Sequence, residues 1–373
     1  MKKTLVFQLF LLFFIPSVVY PQLIPKPALA IKVDEEWHII NEFGSTLWKS
    51  STLLDVEAYS EGLLSGYVME RGKPVSIYYD DYGIVELMTS SLKAYPFNNN
   101  RTFIVHETNK ERFEYIFGAI DLYGNFIAEM KYLDMQTFSE GNAYLMNNIE
   151  RGYIDTNGKF LFKLPPGIVG YGFTEGLSPV SNAKTGRFGY IDTNGKEVIP
   201  YRYFEGGNFS EGLARVFTSH HASGHGKFGF INKKGDMIIS PIYEETSNFK
   251  EGLVFVAIPT GKSPIEEDDL IWRVINKDGT ALSDYIFTSY KNFSDGVAAV
   301  QCSEDRHWYY IDKNSKPITE HKYLYSGSYA EGKAFVIDTN KRKLFVDKKG
   351  NILFELPFNT EIVFDCRTNE KFK

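Results

Sequence analysis

Acidic residues recur at one place in a repeated motif, so paired carboxylates are the first catalysts to consider. Each precedes a glycine and follows an aromatic residue by two positions: Glu61, Glu140, Glu175, Glu211, Glu251, Asp295 and Glu331. A glycosidase needs two carboxylates that face each other across a cleft. One acid per repeat at an equivalent position indicates a structural role at a chain reversal instead. The sequence therefore predicts no catalytic residue in this set.

Three histidines are the best candidates for metal ligands. His220, His221 and His225 lie in a segment that also contains Gly and Ser. Imidazole nitrogens bind transition metals, so a metal site is one interpretation. A solvated, flexible loop is the other, and we favour it because of the Gly and Ser residues. We expect neither a metal nor another cofactor.

A second unusual segment is acidic and contains Glu266, Glu267, Asp268 and Asp269. It could attract calcium or a basic partner, although an exposed acidic loop needs neither. The histidine and acidic segments are both extra length between the first and second strands of adjacent repeats, and residues 108–112 occupy the same place in an earlier repeat. Insertions in repeat arrays tend to lie on one face, often the binding face. These segments are therefore the predicted binding loops.

Other catalytic signatures are missing from the sequence. It contains no nucleophile elbow, zincin motif, phosphate-binding loop or dinucleotide fingerprint. Its two cysteines, Cys302 and Cys366, exclude a disulfide scaffold and a cysteine-based zinc site. Whether they pair with each other stays open at this stage. We predict that the chain is not an enzyme.

Composition limits the class of protein and its partners. The 373 residues carry 41 Lys and Arg against 47 Asp and Glu, a formal net charge of -6. Nucleic acid is therefore a poor partner, because no basic excess is available to neutralise phosphates. Hydrophobic residues at 43% exclude a mostly disordered chain, and aromatic residues at 16% favour strands.

The N-terminus has the form of a secretory signal peptide. Lys2 and Lys3 precede an apolar run over residues 4–19, which is short for a membrane-spanning helix. We assign residues 1–22 to the signal, with cleavage after Ala30 or retention as a membrane anchor as alternatives. The chain is thus predicted to be exported (periplasmic, cell-surface or secreted), with no membrane span after this segment.

The rest of the chain is built from repeats of about 34 to 44 residues, which we place over 31–358, with 359–373 as a C-terminal tail. Each repeat joins the aromatic-x-acid-Gly element to an Asp-x-x-Gly element. We count eight repeats and part of a ninth around Trp37. The glycines with a predicted structural role are Gly62, Gly141, Gly176, Gly212, Gly252, Gly296 and Gly332 in the first element, and Gly158, Gly195, Gly235, Gly279 and Gly350 in the second.

Each repeat element predicts a backbone reversal. In 191–196, an Asp at the first turn position and a Gly three residues later are typical of a hairpin turn with a positive φ at the glycine. Gly212 has the same requirement. A third strand follows the Glu-Gly corner, and Pro200 and Pro241 are predicted to end their strands because proline cannot donate to a ladder.

These motifs resemble the WG (KWG) repeats of bacterial proteins over nearly all of the chain after residue 30. The matching features are Phe-x-Glu-Gly-Leu-Ala, Phe-Gly-Tyr-Ile-Asp-x-x-Gly and Ile-Pro-x-x-Tyr. The chain departs from the family in lacking a literal Trp-Gly pair: Phe188 and Phe228 replace the Trp, and Trp37, Trp272 and Trp308 have no following glycine. The resemblance implies a repeat architecture and an often exported bacterial context, but no agreed activity.

Two all-β architectures fit this pattern, an open solenoid or superhelical array and a closed β-propeller. Propeller blades usually have four strands, and only three per repeat are visible here, so the sequence favours the open array. Stacked repeats would bury the repeated aromatic residues as a core.

The functional expectation is a non-enzymatic, exported protein that presents an extended surface to a protein or cell-envelope partner. A carbohydrate-binding module of the envelope is the alternative, and exposed aromatic residues would support it. A hydrolase is the third possibility, and two carboxylates with shifted pKa values in one pocket would support that.

Overall fold

The computed structural model describes residues 26–93, 95–109, 111–112, 114–219, 226–259, 270–302 and 305–372. Within these ranges the chain is all-β, as predicted, with 34 strands and no helix. The strands form antiparallel sheets that follow one another along the chain. One seven-stranded sheet consists of two repeats that share a strand, so the described residues make up nine repeating units.

Unit 6 shows the pattern that the other units follow. Its strands pair in the order a, b, c, d: Glu205–Gly206, Leu213–Ser219, Gly226–Asn232 and Met237–Tyr243. The Glu-Gly corner lies between a and b, and the Asp-x-x-Gly turn lies between c and d. A fourth strand per unit therefore corrects the three-strand expectation. Sequence patterns miss strand a because two residues have no periodicity.

The other units have the same strand order, but among the described residues units 3, 7 and 8 each have only three strands of their own. Unit 2 contains Leu53–Ser60, Leu63–Glu70, Lys73–Tyr79 and Val85–Thr89; unit 3, Arg101–Asn109, Glu114–Asp121 and Phe126–Tyr132; unit 4, Asp134–Met135, Asn142–Met146, Arg151–Asp155 and Phe160–Lys163; unit 5, Ile168–Gly170, Leu177–Asn182, Arg187–Asp192 and Glu197–Tyr203. Unit 7 contains Glu245–Thr246, Leu253–Pro259 and Leu270–Asn276; unit 8, Ser289–Tyr290, Val297–Gln301 and Trp308–Asp312; unit 9, Tyr323–Ser326, Lys333–Asp338, Lys343–Asp347 and Ile352–Glu355.

Unit 1 is assembled from both ends of the chain. Its strands b, c and d are Leu29–Val33, Glu36–Ile40 and Thr46–Ser50, whereas strand a is Thr360–Asp365, with Glu370–Phe372 paired beyond it. Leu29 pairs with Asp365 and Ile31 with Val363. The predicted C-terminal tail thus contains two paired strands within residues 360–372, and the strands of unit 1 begin before residue 31.

The prolines of strand d do not end it, contrary to expectation. Pro200 and Pro241 lie inside Glu197–Tyr203 and Met237–Tyr243, where the register shifts. Strand d is at the edge of its sheet, where a missing N–H is tolerated. The irregular strand passes close to the glycine of strand c. A Cβ at Gly229 would lie 2.6 Å from the Ile239 carbonyl oxygen, which explains why a glycine follows the aromatic residue in this motif.

The core lies between successive units. Tyr190 and Tyr203 of unit 5 pack with Phe209 and Val216 of unit 6. The rings of Tyr190 and Phe209 meet edge-on at a centroid distance of 5.1 Å, a favourable arrangement for aromatic pairs. Each unit therefore buries its apolar surface against the next, and the repeated aromatic residues form core as predicted.

Candidate functional site

The corners between strands a and b are tight turns with two residues in left-handed backbone conformations. Glu61, Glu140, Glu175, Glu211, Glu251, Asp295 and Glu331 have φ values of 51 to 57°, and the glycines that follow them, Gly62, Gly141, Gly176, Gly212, Gly252, Gly296 and Gly332, have values of 76 to 86°. The sequence indicated a positive φ for the glycine but not for the acid. For a non-glycine residue that conformation costs about 1 kcal/mol or more.

The carboxylates of six of these seven corners bind the next unit, which offsets this strain. Glu211 accepts a hydrogen bond from the N–H of Gly252 at 2.8 Å, and Glu251 accepts one from Gly296 at 2.8 Å. The equivalent bonds run from Asn99 and Asn100 to Glu61, from Gly141 to Asn99, from Glu175 and Gly176 to Glu140, from Gly212 to Glu175 and from Gly332 to Asp295. Six acids and the Asn99 amide therefore link the corners of units 2 to 9 in an unbroken series.

Lysines of the c–d turns reinforce these links in the C-terminal half. Lys277 lies 3.2 Å from Glu211, Lys233 lies 3.1 Å from Glu175 and Lys313 lies 3.1 Å from Glu251. Partial burial raises the pKa of Glu211, but the Gly252 N–H and Lys277 outweigh burial and hold that pKa below its ordinary value. The corners and the c–d turns thus lie at the same end of the units, which we call the corner face.

The c–d turns share one backbone geometry. An Asx side chain accepts hydrogen bonds from the N–H groups two and four residues later; Asp155, for example, accepts from Asn157 at 2.8 Å and Lys159 at 3.0 Å. The glycines Gly158, Gly195, Gly235, Gly279 and Gly350 close such turns with φ values of 79 to 85°. The Asx residues are therefore occupied by their own turns.

What differs between the turns is the residue before the glycine. In units 1 to 3 it is aromatic and exposed: Phe43 is 73% exposed, Tyr82 60% and Tyr123 86%. In units 4 to 9 the equivalent residues are polar or charged: Asn157, Asn194, Lys234, Asp278, Asn314 and Lys349. Ile84, Val85 and Phe126, in or just after the same turns, are also exposed. Sequence reasoning missed this aromatic set, although alignment of the turns would have revealed it.

The predicted binding loops lie outside the described residues. His220, His221 and His225, and Glu266, Glu267, Asp268 and Asp269, are in this category, as is the predicted signal over 1–22. Strands b and c of unit 6 flank the histidine segment in the sequence, and strands b and c of unit 7 flank the acidic segment. The C-terminal end of strand b and the N-terminal end of strand c lie opposite the corner face. That these segments form a binding face stays a prediction.

Other candidate chemistry is limited within the described part of the chain. No group of three or more His, Cys, Asp or Glu side chains there could hold a metal ion, and no described helix is long and apolar enough to cross a membrane. Cys302 and Cys366 are not joined by a disulfide. Cys366 is buried, and burial raises the pKa of its thiol.

Two cavities lie near the corners. One, of about 600 Å³, is formed by units 7, 8, 9 and 1, and its carboxylate, Glu370, already accepts from Ser328 and pairs with Lys291 at 3.0 Å. The other, of about 1020 Å³, lies where unit 1 meets units 2 and 9. Four carboxylates line it: those of Glu42, Glu61, Asp81 and Glu331.

Three of those four carboxylates have partners. Glu42 pairs with Lys333, Glu61 accepts from the corner of unit 3, and Asp81 accepts from the Tyr59 hydroxyl at 2.7 Å. This cavity therefore offers no second carboxylate that is unengaged to act beside Glu331.

Comparison with known proteins agrees with the repeat geometry. The model of the WG containing repeat matches residues 188–218, 228–258 and 272–304, which correspond to units 5 to 8. These residues are WG repeats. The family resemblance is thereby confirmed for this part of the chain, and the neighbouring units repeat its corners and turns. No curated protein matches the chain.

Solved structures resemble the WG-repeat chain in fold alone. A crystal structure of the eukaryotic initiation factor has a TM-score of 0.61 at 12% identity, covering 90% of this chain and 96% of that one. BamB from Moraxella catarrhalis has a TM-score of 0.41 at 11% identity, covering 78% of this chain and 89% of that one. At 12% identity, the first of these similarities shows the fold and no activity.

Proposed function

We propose that this WG-repeat protein is a non-enzymatic interaction scaffold that acts after export from the cytoplasm. The observation that carries the proposal is the exposed aromatic set of the corner face, Phe43, Tyr82 and Tyr123, which occupy one turn position in three successive units. Aromatic side chains are enriched in binding surfaces because they supply contact area at low entropy cost. An exposed apolar sector flanked by polar turns is typical of a docking surface.

The state of the acids supports a non-enzymatic role. The corner carboxylates of units 2 and 4 to 8 accept backbone hydrogen bonds from the neighbouring unit, and the Asx residues accept from their own turns. A general acid or base must be able to exchange a proton with a substrate. Groups held in these bonds are poorly placed for that task.

We further propose that the nine units form a closed ring of the β-propeller type. Pairing of Leu29–Val33 with Thr360–Asp365 and the four-strand order of most units support this architecture over the open array. X-ray scattering in solution tests it. We expect a radius of gyration of about 20 Å, close to that of a compact globule of this length. A markedly larger value would restore the open array.

An affinity capture tests the interaction function. The chain, immobilised without its predicted signal, would be exposed to solubilised envelope proteins of the source organism beside three variants. One variant carries Phe43→Asn, Tyr82→Asn and Tyr123→Asn, and the other two lack residues 219–225 or 262–269. Loss of a protein partner in the aromatic variant alone would support the corner face. Loss only in the deletions would move the interface to the opposite face.

Carbohydrate binding is the second candidate, favoured by the exposed Tyr82 and Tyr123 rings. Tyrosine can stack on sugar rings while its hydroxyl donates a hydrogen bond. Against it, Ile84, Val85 and Phe126 add apolar surface with no group that could bond to sugar hydroxyls. Purified cell-wall polysaccharide retained by the wild type but not by the aromatic variant would establish this alternative. Cell fractionation tests export.

A further inference from the structure

The series of linked corners is interrupted at unit 1. Eight units have an a–b corner, but strands a and b of unit 1 belong to opposite ends of the chain, so no corner joins them. The cavity of about 1020 Å³ lies at this position. It is lined by the corner of unit 9 (Ala330 and Glu331), the corner of unit 2 (Glu61 and Gly62) and the two chain segments that replace the missing turn.

The corners on either side of the gap retain the groups that would bind a ninth corner. Elsewhere the acid of one corner accepts from the N–H of the next; Glu251 and the Gly296 N–H are an example at 2.8 Å. Among the described residues, Glu331 has no such donor and the Gly62 N–H has no such acceptor. Arg367 and Asn369 bridge part of the gap, since Arg367 donates to the carbonyls of the unit 9 corner and the Asn369 amide bonds to both backbone groups of Tyr59. They leave the Glu331 carboxylate as an acceptor on one side and the Gly62 N–H as a donor on the other, and we call this position the vacant corner.

These groups define the chemistry of an occupant. It needs backbone N–H groups to donate to Glu331 and a carboxylate to accept from Gly62, which is what an acid-Gly turn carries. Glu42 and Asp81, which also line the cavity, are bound to Lys333 and Tyr59 and do not compete. Phe43, Pro27 and Ala28 supply apolar contact on the same cavity wall.

We propose that this cavity binds an acid-Gly turn of a partner protein, which takes the place of the ninth corner. The proposal names a specific site within the interaction function proposed above and rests on that function. The turn would lie between units 9 and 2, and its acid would bond to Gly62 as the corner acids of units 4 to 8 bond to their successors.

The chain's own corner sequence is the probe. A fluorescent cyclic peptide containing residues 209–216 (Phe-Ser-Glu-Gly-Leu-Ala-Arg-Val) would be titrated with the full chain by anisotropy. A matched peptide carries an N-methyl group on the glycine amide, which removes the N–H that donates to Glu331. We expect binding of the first peptide and at least tenfold weaker binding of the second, since hydrogen bonds to charged groups contribute about 1.5–3 kcal/mol.

Protein variants locate the site. Glu331→Ala is expected to weaken peptide binding at least tenfold, whereas Glu355→Ala, which removes an exposed acid of the same unit, leaves it unchanged. Circular dichroism checks that both variants remain folded. A chain that begins at Lys26 serves as a further control. We expect it to bind the peptide as the full chain does.

Three outcomes would overturn the proposal: no binding by the wild type, equal binding of the N-methyl peptide, or equal binding by Glu331→Ala. Binding only by the chain that begins at Lys26 would also overturn it, because the preceding residues would then fill the position themselves. If the peptide does not bind but the aromatic variant loses its captured partner, the proposed interaction function still holds. If the peptide binds as expected and the aromatic variant captures the partner as the wild type does, the interaction site is the cavity and not the aromatic turns.

Discussion

Units 6 to 8 and units 1 and 2 have the same strand order and turn geometry but use their side chains differently. In units 6 to 8 the second turn residue is Lys233, Lys277 or Lys313, and each lysine pairs with the corner acid of the preceding unit. In units 1 and 2 that residue is an acid, and the next is an exposed aromatic residue. Within one scaffold, therefore, the lysines of units 6 to 8 bind the preceding corner, whereas the turns of units 1 and 2 expose an aromatic side chain beside an acid that has another partner.

The junction at unit 1 shows the same contrast in its energetics. In units 2 and 4 to 9 the chain itself joins strand a to strand b, whereas in unit 1 these two strands are held by strand pairing and by a buried ion pair. Arg367 lies 2.5 Å from Asp365 and donates to the Ala330 carbonyl of unit 9 at 2.6 Å. This junction replaces the covalent corner with charge and hydrogen bonds.

Arg367→Ala is expected to have the largest effect, because it leaves the buried Asp365 carboxylate without its partner. Removing one member of a buried pair costs about 3–5 kcal/mol. Burial already raises the pKa of Asp365 despite Arg367, so the carboxyl will take up a proton more readily in the variant. The loss, measured by urea unfolding, should therefore be smaller at pH 5 than at pH 7.

The matched control is Arg342→Ala, which removes the partner of Asp338 in a more exposed pair. An exposed ion pair contributes about 0.2–1 kcal/mol. Equal losses for the two arginine variants would show that the unit 1 junction has no special role.

Gly229→Ala tests a unit away from the junction and should rank second. The added Cβ would meet the Ile239 carbonyl oxygen at 2.6 Å and the Pro241 nitrogen at 2.8 Å, both backbone atoms. Forcing atoms into a packed region costs about 1–3 kcal/mol. Gly252→Ala is the control, since its surroundings are open and only its φ of +84° opposes the change. A similar or larger loss at Gly252 would contradict this account of the motif glycine.

The corner acid Glu211, which bonds to the next unit, can be compared with Glu331, which has no such bond. Glu211 and Glu331 have φ values of 54 and 53°, so replacement by alanine changes the backbone preference equally. Glu211→Ala should cost about 1–2 kcal/mol more than Glu331→Ala, because only Glu211 loses hydrogen bonds to the next unit. Equal losses in urea unfolding would show that the inter-unit bonds do not stabilise the fold.

The pH dependence of Glu211→Ala follows from the sign of the pKa shift. The pKa of Glu211 is lower in the folded chain than the ordinary value of about 4.3. Its stabilisation is therefore complete above that value and is lost as the pH falls through the folded-state pKa. The difference between wild type and Glu211→Ala should be constant from pH 6 to 8 and shrink below about pH 4.

Local patterns predicted much of the architecture. Turn residues placed the hairpins, and the count of eight repeats and part of a ninth matches the nine units. The sequence could not show strand a, which has two residues in several units, nor the bonds between corners some 40 residues apart. It also could not show that Thr360–Asp365 pairs with Leu29–Val33, because polar residues such as Arg367 become buried only after these segments meet.

The candidate site divides in the same way. The acids were correctly interpreted as structural residues of the corners, although their left-handed conformation and their bonds to the next unit depend on three-dimensional neighbours. The aromatic set was present in the sequence but becomes evident only when the turns are aligned by their Asx residue. The vacant corner had no signal, because it depends on the pairing of Leu29–Val33 with Thr360–Asp365, two segments far apart in the sequence.

The smallest effect on stability is expected from the aromatic turns. Phe43, Tyr82 and Tyr123 are exposed, and units 4, 5 and 8 carry Asn at the same position, so the turn accepts that residue without strain. The triple change to Asn should alter the free energy of unfolding by no more than about 0.5 kcal/mol per site, as is usual for surface substitutions. Urea unfolding measures this, with Asn157→Ser, Asn194→Ser and Asn314→Ser as the matched control. A larger loss would mean that the rings belong to the core, and the difference between the two halves of the corner face would then be structural and not functional.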